Sequence, residues 1–134
     1  MGKLSKRSLE RLQDVESVLI AIIVEGIKDS PYDFGIPKLG GKRTDEEQIE
    51  MYAQGRTSKG RIVTWTLKSY HKTGFAVDIF AYVSGAASWD MKYLEPIARH
   101  LQKIAKDRYN IDLEWGYDLW KKDGAHFQIK STGL

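Results

Sequence analysis

The chain has 134 residues, of which 42% are hydrophobic and 29% charged, the balance of a folded domain rather than a disordered tail. No cysteine occurs; disulfide staples and thiolate ligands are excluded, and any metal must rest on His, Asp or Glu. The net charge of +3, from 21 basic and 18 acidic residues, mildly favours anionic surroundings, but no basic run interleaved with aromatics marks a nucleic-acid surface.

From the N-terminus, Leu9, Leu12, Val15, Leu19, Ile22, Ile23 and Ile27 recur at helical spacing. Ser5 is placed to cap the start and Asp29-Ser30-Pro31 to stop it, which predicts one helix between them. Its most apolar run, Val18 to Val24, is well short of the ~20 residues that span a bilayer. The preceding SKRSLERLQDVES is too long and too mixed in charge for a signal n-region, and no cleavage site follows, so synthesis for the cytoplasm, or exit from it by some other route, is expected.

The glycine-rich FGIPKLGGKR leads to Thr44 and Glu47, spaced as a capping box, and to a short helix closing at a left-handed Gly55. Arg61 to Thr66 and Phe75 to Val83 are β-branched and aromatic, with the period of strands. Leu94, Ile97, Ala98, Leu101, Ile104 and Ala105 form a second helical stripe, with Pro96 expected in the first turn, where its missing N–H costs nothing. IDLEWG and AHFQIK read as two strands around a polar loop, YDLWKKDG. With neither a repeat nor a linker, residues 1–134 read as one α+β domain, a small antiparallel sheet flanked by helices.

Three imidazoles are available. His100 stands beside Arg99 on the polar side of its helix and reads as a solvated surface residue. His71 and His126 each lie at a strand edge near a glycine and a carboxylate. Strand alternation puts Ala76, Asp78 and Phe80 on one face and Phe75, Val77 and Ile79 on the other. A charge at Asp78 is explained either by a metal held together with the histidines or, more blandly, by a lysine partner at a sheet edge. Asp123, three residues before His126, is either a general base beside such a metal or simply the first half of an Asp-Gly turn, and local sequence favours the turn. Glu114 is a weaker rival for the base.

At this point the pattern Ser69-x-His71-x-x-Gly74-x-Ala76-x-Asp78, followed by Asp123-x-x-His126, resembles the zinc D-Ala-D-Ala carboxypeptidase/L-alanyl-D-glutamate endopeptidase family, and most of all its phage endolysins and the bacterial cell-wall peptidases related to them. Ser30 to Phe34, Gly41-Lys42-Arg43-Thr44 with Gln48, Gln54-Gly55-Arg56-Thr57, Val63-Thr64 and Trp115-Gly116-x-Asp118 are similar to the family in the same order. The resemblance implies a hedgehog/D-Ala-D-Ala peptidase-like fold with zinc on the sheet, held by His71, Asp78 and His126. It implies Asp123 as catalytic base and Arg43 as the group that binds a substrate carboxylate or polarised carbonyl. Ser69, Asp118, Trp120 and Gln128 would support the ligands or wall the substrate.

Two departures stand out. Gln128 replaces the glutamate usual two residues after the last ligand, and the WGYDLW loop is spaced differently from the family's. The expected function is hydrolysis of the peptidoglycan stem peptide, as an L-alanyl-D-glutamate endopeptidase acting in phage lysis. Such a protein would be a monomer without a separate wall-binding domain. It would wait in the host cytoplasm until the membrane is breached, with no nucleic-acid partner. A D-Ala-D-Ala carboxypeptidase or dipeptidase, and a non-catalytic zinc-binding module of the same fold, are the alternatives.

Overall fold

The computed structural model describes residues 2–57, 59, 60, 71 and 73–130. The strand expected over Arg61 to Thr66, and Ser69, lie outside the described residues. Two helices open the chain where periodicity predicted one. Helix α1 (Lys6–Arg11) starts as expected, with the Ser5 hydroxyl accepting from the Ser8 N–H at 3.1 Å. It stops at Leu12, and Asp14 takes a left-handed φ of 69°. The Glu16 N–H is then free of any helical partner and donates to the Gly74 carbonyl at 2.8 Å. This long-range bond breaks the helix and re-aims α2 (Ser17–Ile27). Leu12 and Val15 stay buried across the break, while Leu9 is left 49% exposed.

Helix α2 packs on α4 (Met91–Tyr109), whose inward face is the predicted stripe: Leu94, Ile97, Ala98, Leu101, Ile104 and Ala105 are all buried. These two helices and the sheets share one hydrophobic core. Two expectations on α4 are corrected. The helix begins at Met91 because Asp90 caps it, its side chain accepting from the Lys92 N–H at 3.0 Å. Pro96 therefore sits in the second turn, where its missing N–H removes a helical hydrogen bond. His100 is not a solvated residue. Its Nε2 lies 2.8 Å from the Gly26 carbonyl and 3.1 Å from Asp29 Oδ1, joining α4 to the end of α2.

Among the described residues the strands form two antiparallel three-stranded sheets. One has the order β1-β3-β4, from β1 (Asp33–Gly35), β3 (Phe80–Val83) and β4 (Ala86–Ser88). The other has the order β2-β6-β5, from β2 (Ala76–Asp78), β6 (His126–Gln128) and β5 (Glu114–Trp115). The single strand expected over Phe75 to Val83 thus divides at Ile79. Asp78 pairs with His126, but Phe80 pairs with Gly35. Between them the fully buried Ile79 donates its N–H to the Ala125 carbonyl at 2.9 Å. A run of strand-forming residues does not say when the pairing partner changes.

Helix α3 (Asp45–Ala53) has the predicted capping box, with Thr44 Oγ1 accepting from the Glu47 N–H at 3.1 Å and Glu47 accepting from the Thr44 N–H at 2.8 Å. Gly55 follows its end at a φ of 81°. The loop expected between β5 and β6 contains a further short helix, α5 (Gly116–Trp120). Among the described residues no helix is long and apolar enough to cross a membrane.

Candidate metal centre

The second sheet has two unlike faces. Val77, Phe127 and Trp115 point into the core with at most 1% exposure. Residues opposite one another in an antiparallel pair share a face, so the other face carries Asp78 opposite His126, and Gln128 opposite Glu114 and Ala76. Strand pairing alone therefore brings together two polar residues 48 positions apart in the chain. His71 joins them from outside the sheet. Its backbone carbonyl accepts from the Arg43 N–H at 2.8 Å. Gly74, at a φ of 83°, turns the chain between His71 and β2 and packs directly on the Asp14 carbonyl, so a side chain there would meet both strain and a clash.

Three ligand-type atoms converge. His71 Nε2 lies 3.2 Å from Asp78 Oδ1 and 3.2 Å from His126 Nδ1, and His126 Nδ1 lies 3.6 Å from Asp78 Oδ1. Ligand bonds of about 2.0–2.1 Å in a tetrahedron imply edges of about 3.3 Å, which these separations match. The outer nitrogens settle what the inner ones offer. His71 Nδ1 is 2.9 Å from the Gly41 carbonyl, which can only accept, so Nδ1 bears the proton. His126 Nε2 is 2.7 Å from Gln128 Oε1, again an acceptor, so Nε2 bears the proton there. In these tautomers both inner nitrogens present lone pairs to each other and to a carboxylate. Three electron pairs meeting at this spacing fit a cation, and His71, Asp78 and His126 form a group able to hold a metal ion.

Residues 1–133 match the phage L-alanyl-D-glutamate peptidase family. The chain belongs to this family. Among relatives, it is 38% identical over 104 residues to the peptidoglycan L-alanyl-D-glutamate endopeptidase CwlK of Bacillus subtilis (strain 168), a match covering 66% of the chain and 57% of CwlK. The chain thus spans little more than half of that relative's length. Its fold superposes on the crystal structure of the Serratia marcescens L-Ala D-Glu endopeptidase ChiX with a TM-score of 0.78 at 34% identity, covering 96% of this chain and 90% of ChiX. The vancomycin-resistance D,D-dipeptidase VanXYg, in complex with a D-Ala-D-Ala phosphinate analogue, shares the fold alone: TM-score 0.53, 21% identity, 87% of this chain and 49% of that one.

The other site residues expected from the sequence take different places around this cluster. Arg43 reaches the cluster, but as a partner of Asp78. It is 6% exposed, and its Nη2 donates to Asp78 Oδ2 at 2.9 Å, its Nε to the Leu39 carbonyl at 2.8 Å and its Nη1 to Gln48 Oε1 at 3.1 Å. Burial opposes the charge on Asp78, but His71 and His126, when their inner nitrogens are protonated in place of holding a metal, outweigh it through charge and hydrogen bonds and hold the carboxyl well below the usual carboxylate range.

Asp123 forms the expected turn, with the His126 N–H donating to its carbonyl at 3.1 Å and a φ of 63°. Its side chain still feels the cluster. Burial, and then the charge of Asp78, raise its pKa against the pull of His126, His71 and Arg43. Turn former and candidate base are one residue, not alternatives. Gly116 makes the turn possible by lying flush against the Asp123 carbonyl, where a side chain would collide. The Trp115 indole N–H fastens the same turn, donating to the Gly124 carbonyl at 2.7 Å.

Trp120 lies beside His126, its ring 5.3 Å from the imidazole, and is 47% exposed. Asp118, expected nearby, is held by α4 instead, accepting from Arg99 Nη1 at 2.6 Å and Nη2 at 2.9 Å. Glu114, the weaker rival for the base, lies behind Gln128 and accepts from its amide at 3.1 Å. Sequence reasoning misses both that link and the Gly41 carbonyl. The alternation of IDLEWG could have found Glu114 only once its register against β6 was known.

Proposed function

We propose that this protein is a zinc-dependent peptidoglycan peptidase that hydrolyses the L-alanyl–D-glutamate bond of the stem peptide, and that it acts as an endolysin in phage host lysis. The observation that carries the reading is the convergence of His71 Nε2, His126 Nδ1 and Asp78 Oδ1 within 3.6 Å of one another, in a chain whose family spans residues 1–133. Two nitrogens and one carboxylate oxygen form a three-ligand set of the kind that leaves zinc a fourth, open position. When bound, zinc supplies Lewis acidity toward a water nucleophile and the scissile carbonyl.

The chain's own residues do the rest. The Asp123 carboxylate, whose raised pKa makes it a better base than an ordinary aspartate, takes a proton from the attacking water. As the C–N bond breaks, the same carboxyl returns that proton to the departing amine nitrogen. Arg43 holds Asp78 by its outer oxygen, so Oδ1 keeps its direction. The exposed Trp120 ring offers an apolar wall for the substrate beside His126.

Metal analysis of the purified protein, with mass spectrometry of digested muropeptides, tests this. The expected result is one zinc per chain and new D-glutamyl amino termini. Release of terminal D-alanine with L-Ala–D-Glu intact would assign a carboxypeptidase or dipeptidase instead.

A further inference from the structure

We infer that Glu114, acting through the amide of Gln128, fixes the tautomer of His126 that leaves the Nδ1 lone pair facing the metal centre. The inference deepens the reading above and rests on His126 being a ligand through Nδ1. Gln128 links the two residues: its Nε2 lies 3.1 Å from Glu114 Oε1, and its Oε1 lies 2.7 Å from His126 Nε2. An amide on its own could present either end to the imidazole. A carboxylate only accepts, so Glu114 claims the NH₂ end and leaves the carbonyl end for His126. The carbonyl also only accepts, so His126 must carry its proton on Nε2 and its lone pair on Nδ1, the atom 3.2 Å from His71 Nε2. Each link admits one polarity, and the carboxylate at the far end sets it.

The backbone holds the relay in register. Glu114 and Gln128 are directly opposed on β5 and β6, and Gln128 follows His126 by two positions on the same face. Gln128 is 9% exposed, so its amide is shielded from water that could reorient it. The negative charge behind the ligand therefore stands one hydrogen bond beyond Gln128, on Glu114 of the neighbouring strand.

The test reverses the polarity. Glu114→Lys puts a group that only donates where one that only accepts stood, which turns the Gln128 amide and presents its NH₂ to His126 Nε2. The double variant Glu114→Lys with Gln128→Glu restores an acceptor beside His126 and pairs it with the ammonium introduced on β5. The ring-nitrogen NMR shifts of His126 in the metal-free protein, above the pH at which the ring is neutral, report the tautomer directly. Zinc affinity from chelator competition is the second readout.

The native protein is expected to show Nε2–H, the single variant Nδ1–H with zinc affinity reduced roughly 100-fold, and the double variant Nε2–H with affinity back within about tenfold of native. An unchanged tautomer in Glu114→Lys, in a protein with native circular dichroism, would overturn the relay. So would failure of the double variant to restore Nε2–H. If His126→Ala bound zinc as tightly as native protein, the ligand reading would fall, while the tautomer result would still judge the relay.

Discussion

Arg43 and Asp78 form a lopsided ion pair: the guanidinium takes Asp78 Oδ2 at 2.9 Å and leaves Oδ1 to the two histidines. Every arginine side-chain nitrogen has a partner within the protein, so the side chain is built into the centre. Arg43→Ala would strand the carboxylate of Asp78 without its cation. Breaking a buried pair from one side costs about 3–5 kcal/mol, and the 20% exposure of the Asp78 side chain places this case toward the lower end. Thermal unfolding should show a large fall in Tm in the presence of chelator and a smaller one with zinc, which supplies a replacement positive charge. A native Tm combined with a raised KM would instead mean that Arg43 contacts substrate.

Asp123→Asn should separate chemistry from folding. Asparagine tolerates the left-handed backbone at this position, where φ is 63°. It also keeps the side chain's shape while removing its charge. Because burial and Asp78 raise the Asp123 pKa, the ionised form is less stable in the folded protein than in the unfolded chain. The variant should therefore unfold at or slightly above the native temperature near pH 7 and bind zinc at least as well. Hydrolysis should drop by about 10²–10⁴-fold. Activity within tenfold of native would remove Asp123 from the mechanism.

Local rules make parts of the fold legible, whereas the set of His71, Asp78 and His126 is named only by the family resemblance. Asp78 follows strand alternation, the capping box places the start of α3, and the stripe on α4 names its buried face residue by residue. What local rules miss are the choices made by distant partners. The Gly74 carbonyl, by taking the Glu16 N–H, separates α1 from α2, and Gly35 against His126 decides that the long strand divides at Ile79. His100 looks polar beside Arg99, yet its partners arrive from the end of another helix, 74 residues earlier. The family resemblance brings Arg43 to the site, but its 35-residue link to Asp78 exists only in three dimensions.

Asp118 offers a contrasting substitution. Its pair with Arg99 is two-pronged but lies at the surface, with side chains 39% and 49% exposed. The Arg99 hydrogen bond lowers the Asp118 pKa against a small cost of burial. Solvent screening limits such a pair to under about 1 kcal/mol. Asp118→Ala should thus shift Tm by only a few degrees and leave both kcat and KM at native values. A tenfold rise in KM would return Asp118 to the substrate wall.

The metal-free protein should respond to pH in the opposite sense from the loaded one. Burial alone would lower the pKa of His126, but the hydrogen bond and charge of Asp78, aided by Gln128 and Asp123, outweigh it and raise the value above the ordinary 6.5. A histidine whose folded pKa is raised contributes stability that is full below the unfolded value and is lost as pH climbs through the folded one. The metal-free Tm should therefore fall on going from about pH 6 into the mildly alkaline range, with the Asp78 contribution lost only in acid, below its ordinary value of 3.8. Zinc competes for the same Nδ1 lone pair, so its affinity should rise over that window as the proton leaves. Calorimetric titration in buffers of differing ionisation enthalpy should show about one proton released per zinc near pH 6.5, declining toward none at higher pH. Affinity and proton release that do not change across this range would mean that His126 does not take its metal through the nitrogen facing Asp78.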